Sequence, residues 1–80
     1  DPINQATHNN YAFEDYGESL YPYGFKCRWV LGKIHEEQYD DLTWYFKVEV
    51  VIENAYGNKI DGVAEGTVKS GVVKSFYVNY

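Results

Sequence analysis

Eighty residues make one domain near the lower end of chains that fold alone, so the core has to be dense in large side chains. Two Trp, four Phe and nine Tyr supply that density, while a single cysteine, Cys27, excludes an internal disulfide framework. Twelve acidic against seven basic side chains leave a net charge of -5, which repels phosphate backbones and argues against nucleic acid as a ligand.

The first ten residues, DPINQATHNN, have Ile3 and Ala6 as their apolar groups and no period, which predicts a flexible arm over residues 1–10 ahead of a single β-rich domain over residues 11–80. From Asn10 to Leu20 the pattern predicts a short helix. Asn9 or Asn10 is its cap, Glu14 and Asp15 come early, and Ala12, Tyr16 and Leu20 share a face. Gly17 weakens it. Pro22 and Gly24 mark the passage into a sheet.

Four strands follow, at about Phe25 to Glu36, Leu42 to Asn54, Lys59 to Lys69 and Val72 to Tyr80. The second is the clearest. Trp44, Phe46, Val48, Val50 and Ile52 alternate with Tyr45, Lys47, Glu49, Val51 and Glu53, and a strand points successive side chains to opposite faces. In the first strand the apolar phase runs Phe25, Cys27, Trp29, Leu31 and then moves to Ile34, which predicts a bulge beside Gly32. Loops at Tyr56 to Asn58 and Lys69 to Gly71 set Val50 against Ala64, Val68 against Val72 and Ala64 against Phe76. The third strand then presents Gly62, Ala64, Gly66 and Val68 inward, and Lys74 points inward on the last strand.

The expected fold is mainly β: a curved four-stranded antiparallel meander whose one apolar face is covered by the amino-terminal helix or an ordered arm, with a small β-sandwich or half-barrel as the alternative. A helix followed by a four-stranded meander resembles the cystatin-like arrangement, a likeness of topology that carries no functional residue across.

No spacing matches a catalytic, metal or phosphate-binding signature, so the expectation is a non-enzymatic domain that needs no cofactor. His35, Glu36, Glu37, Asp40 and Asp41 gather near the first turn, where a solvated acidic turn is the plainer reading than a cation site. Cys27 reads as a small buried hydrophobe, since alternation sends Lys26 and Arg28 to the other face. His8 reads as an exposed side chain of the arm.

The tyrosines carry the binding expectation. Tyr21, Tyr23, Tyr39, Tyr45 and Tyr77 fall in loops or on the outer sheet face, where a large ring with a polar tip suits contact with protein or glycan. Tyr45 and Tyr77, with Val51 and Val73, form an expected patch rimmed by Lys47, Glu49 and Glu53. The last strand is an expected edge, open to strand addition or to homodimer formation by edge pairing.

No apolar run nears the roughly 20 residues that span a bilayer, so no membrane insertion is expected of this segment. Many Tyr, Asn and Gly residues, few Lys, no Met and a start at Asp1 suggest a processed or excised product of the secreted or cell-envelope compartment. The rival reading is an acidic inhibitor or immunity-type protein, with Glu14, Asp15, Glu18 and the Glu36 to Asp41 turn converging on one surface.

Overall fold

A computed structural model describes residues 2–80, with side chains from residue 8 onward. Helix α1 (Pro2–Leu20) leads into β1 (Phe25–Cys27), β2 (Lys33–Gln38), β3 (Thr43–Glu53), β4 (Lys59–Lys69) and β5 (Val72–Asn79). The five strands pair antiparallel in one open sheet, with β3 and β4 central and β5 at one edge. Strands β1 and β2 share the other edge, each pairing with a different half of β3. The helix lies against β1, β4 and β5 on one face. One open sheet replaces the alternative of a sandwich or half-barrel.

The phase of β3 is the one its alternation predicts. Trp44, Phe46, Val48, Val50 and Ile52 are buried, whereas Tyr45, Lys47 and Val51 are half-buried and Glu49 is exposed. Opposite them β4 offers Gly62, Ala64, Gly66 and Val68, small groups over which large rings can lean. Phe13 of the helix fills that space, its ring centroid 5.7 Å from Phe46, 5.0 Å from Phe76 and 5.9 Å from Trp29. Each large apolar side chain so enclosed contributes roughly 1.5–3 kcal/mol.

The helix presents Asn9, Phe13 and Gly17 to the sheet at the spacing of one turn. Gly17 is the place of closest approach, because a Cβ there would meet Phe25 Cε1 at 2.2 Å. The glycine that weakens an isolated helix is what lets this one sit down. The helix also starts earlier than Asn10, so Asn9 is an internal, buried residue and not the cap. Residue 1 and the side chains of residues 2–7 lie outside the described residues, while the backbone of residues 2–10, expected as a flexible arm, belongs to α1.

Four details differ from the sequence reading. The first strand is broken at residues 28–32: Arg28 N donates to Glu49 O, Glu49 N donates to Gly32 O, and Gly32 N donates to Arg28 O. Residues 29–31 are therefore looped out opposite one residue of β3, and Leu31, expected inside, is 96% exposed beside Val30 at 92%.

At the first hairpin Glu53 pairs with Lys59, so the loop is residues 54–58. Asn54 Oδ1 accepts from the N–H groups of Tyr56 (2.9 Å) and Asn58 (3.0 Å), while Gly57 takes the positive φ of 81°. Val50 thus faces Gly62 and Val48 faces Ala64, a shift that keeps the same face inside.

At the second hairpin Lys69 pairs with Val72, and Ser70 and Gly71 both take positive φ (51° and 78°), the signature of a two-residue primed turn. A bulge then follows, because Val68 pairs with Val73 while Thr67 pairs with Ser75. Lys74 is the extra residue and is exposed, not inward, and Ala64 meets Val78 instead of Phe76. The two-residue turn sets Val73 opposite Val68 and so onto the core, out of the expected outer patch.

Candidate functional site

The registers lay the outer side chains in rows across the uncovered face. One row is Glu37, Tyr45, Thr67 and Ser75; the next is His35, Lys47, Glu65 and Tyr77. Tyr39, from the turn after β2, stacks on Tyr45 with centroids 5.9 Å apart and ring planes within 17°. Asp40 holds that turn, accepting from the N–H groups of Leu42 (2.9 Å) and Thr43 (2.8 Å). Those bonds, the one from Leu42 first, hold the Asp40 carboxyl below the usual carboxylate range.

Tyr45 is the hub of the cluster. Its hydroxyl donates to Glu65 Oε2 at 2.5 Å, and the His35 ring lies 5.8 Å from its own. The bond to the carboxylate, helped by burial and by the Glu65 charge, pushes the phenol up to about 12. Tyr45 is therefore a protonated donor at neutral pH, locked to its acceptor. Around it His35 Nε2 stands 3.9 Å from Glu37 Oε2, and Tyr77 is largely open to solvent on the far side of Glu65. The result is a stacked aromatic pair and an exposed third ring among hydrogen-bonding groups of both charges.

Beyond the Tyr77 row the face continues into a cleft of about 490 Å³ lined by Arg28, Glu49, Asp61, Asn79 and Tyr80. Arg28 Nη2 and Asp61 Oδ1 approach to 3.3 Å there with both side chains exposed, a pair of small energetic consequence.

The predicted tyrosines thus divide. Tyr39, Tyr45 and Tyr77 share the outer face, while Tyr21 and Tyr23 lie elsewhere, lining a cleft of about 300 Å³ with Leu20, Ile52, Ile60 and Tyr80. Tyr21 stacks on Phe25 (5.8 Å, 12°), and burial together with Tyr80 raises its phenol. Tyr56 sits exposed at a loop tip.

Sequence reasoning missed Glu65 as the partner of Tyr45, although alternation along β4 from buried Ala64 places it outward. It also missed Glu14, whose Oε2 accepts from Cys27 N and Trp29 Nε1, both at 3.1 Å. Cys27 is buried as expected, and burial with the adjacent Glu14 charge drives its thiol well above the ordinary range. Glu36 pairs with Lys33 at 3.3 Å. Neither His35 nor His8 lines the clefts around Arg28, Trp29 and Tyr21. Among the described residues no group of His, Cys, Asp and Glu is arranged to hold a metal ion, and no helix is long and apolar enough to cross a membrane.

No family model, curated protein or solved structure matches this chain.

Proposed function

We propose that this chain is a small secreted or envelope-associated domain that works by binding a partner protein through its outer sheet face, with Tyr39, Tyr45 and Tyr77 as the principal contacts and no cofactor. The observation that carries the reading is the Tyr39–Tyr45 stack beside Tyr77 on a face the helix leaves uncovered. Tyrosines fixed in this way lose little side-chain freedom on binding, and a ring with a polar edge meets both apolar and hydrogen-bonding surface. His35, Glu37, Lys47 and Glu65 then select for charge.

A second reading, the acidic inhibitor or immunity-type protein, draws support from Glu37, Glu49 and Glu65 on the same face. Its helix carboxylates would contribute less, because Glu14 is engaged inside the fold.

The experiment is photo-crosslinking with a benzophenone side chain placed at Tyr77, and at Tyr11 on the opposite side as control, in an extract of the compartment where the chain is found. A defined adduct from position 77, absent from position 11 and lost when Tyr39 and Tyr45 are both changed to Ala, supports the reading. Equal adducts from both positions, or none from 77 together with glycan-array binding, overturn a protein partner on this face.

A further inference from the structure

We propose that the chain forms a two-fold symmetric dimer by antiparallel pairing of β5 with β5 of a second copy, continuing one sheet across both. The inference does not rest on the binding reading, although it brings Tyr77 of the two copies together at the seam; it rests on the sheet's two edges, which are built differently.

The β1/β2 edge is closed. Lys26 lies opposite Val51, with Gly24 O accepting from Glu53 N and Arg28 N donating to Glu49 O on either side of it, so Cys27 turns its N–H away from β3. Glu14 caps that N–H from the helix. Next comes the extruded Val30–Leu31 bulge, and then a charged pair, Lys33 with Glu36. Bulges, capped donors and charges are the devices that prevent an edge from recruiting another strand.

The β5 edge has one such device, the bulge at Lys74, and beyond it none among the described residues. The carbonyl oxygens of Ser75 and Asn79 lie against β4, where a Cβ on Gly66 or Gly62 would meet them at 2.1 and 3.0 Å. Ser75, Tyr77 and Asn79 therefore face β4 with their backbone groups, and Phe76 and Val78 turn theirs outward. Above this open edge Tyr16 of the helix packs on Phe76 with centroids 5.0 Å apart and remains 41% exposed.

A second copy is the occupant because the edge is complementary to itself. An axis through Tyr77 sets Phe76 of each copy opposite Val78 of the other, and Ser75 opposite Asn79. Apolar meets apolar on the helix side, and polar meets polar on the outer side. The outward N–H and C=O of Phe76 and Val78 then satisfy each other. Both helices lie on the same side of the joined sheet, and the two Tyr16 rings approach over the seam.

Sedimentation velocity of the full chain across a wide concentration range, read with amide hydrogen exchange, tests this. The expected result is a monomer–dimer equilibrium in which the Phe76 and Val78 amides gain protection as dimer forms, while the Ile34 amide does not. Val78→Pro removes an outward donor without touching the β4 ladder, so it should leave a folded monomer by circular dichroism. Leu31→Asp, on the closed edge, should dimerise like the parent. A monomer at every concentration, even one that accepts a foreign strand, overturns the proposal. So does a dimer lost in Leu31→Asp or kept in folded Val78→Pro. Should Val78→Pro fail to fold, exchange on the parent chain decides: a dimer whose Phe76 and Val78 amides stay unprotected is not this one.

Discussion

The carboxylate of Glu14 reaches from the helix to the backbone N–H of Cys27, 3.1 Å away, and binds Trp29 Nε1 at the same distance. One side chain thus ties the helix to the sheet edge and supplies an acceptor to two donors that the ladder leaves over. Replacing Glu14 by Leu strands both donors and should cost about 2–3 kcal/mol, whereas Gln, which keeps one acceptor oxygen, should cost about half as much. Urea unfolding of the two variants measures the difference.

Gly66 within β4 and Gly57 in the loop before it should divide sharply on substitution. At Gly66 a Cβ would meet the Ser75 carbonyl oxygen, fixed backbone, at 2.1 Å, so Gly66→Ala should cost about 3 kcal/mol or more by forcing β4 and β5 apart. Gly57 has open space around it and needs only its positive φ of 81°, so Gly57→Ala should cost about 1–2 kcal/mol. Thermal unfolding ranks them directly.

Phe46 touches the rings of Phe13, Trp29 and Trp44 and is fully enclosed. Phe46→Ala should cost about 3–5 kcal/mol, a large part of what a domain of this size has. Trp29→Ala should cost less through lost packing, since Trp29 is half-buried, but it also removes one donor to Glu14. Chemical denaturation of both gives the order.

Tyr45 makes a prediction at high pH. Its phenol is raised from 10.0 to about 12 in the folded chain, so the folded state holds that proton longer than the unfolded one. The stabilisation is complete below pH 10 and is lost as pH climbs through the folded value. Absorbance titration near 295 nm should show Tyr45 ionising late, alongside Tyr21 whose phenol is also raised, and Glu65→Gln should return Tyr45 alone toward the others, since the carboxylate is its leading cause.

Much of this was legible because β3 is long and its alternation unbroken: Trp44 through Ile52 name the core face without knowledge of any partner strand. The small residues of β4 follow from the need to fill that face, and a covering helix from the need to close it, although the helix face that is buried is Asn9, Phe13 and Gly17 and not Ala12, Tyr16 and Leu20. The errors sit where backbone geometry, not side-chain polarity, decides. Leu31 is apolar and in phase, yet a loop closed by Gly32 turns it out. Val73 and Lys74 leave their expected faces because the second turn has two residues where three were expected, and the bulge at Lys74 then returns Phe76 to the inner face. Asn54 starts its loop by accepting two backbone N–H groups, a role its identity permits but does not announce. At the candidate site Tyr45 and Tyr77 were placed by alternation, while the Tyr39 stack and the Glu65 bond depend on a turn and a register that no local pattern encodes.

The division of the sheet into an enclosed face and an open tyrosine face underlies both the binding surface and the edge pairing. Hydroxyl-radical footprinting of the native chain, read residue by residue, tests it most directly. Tyr39 and Tyr77 should oxidise rapidly while Phe13, Phe46 and Trp44 remain protected until the chain unfolds. Oxidation of Phe46 and Trp44 at the rate of Tyr77 would contradict the account.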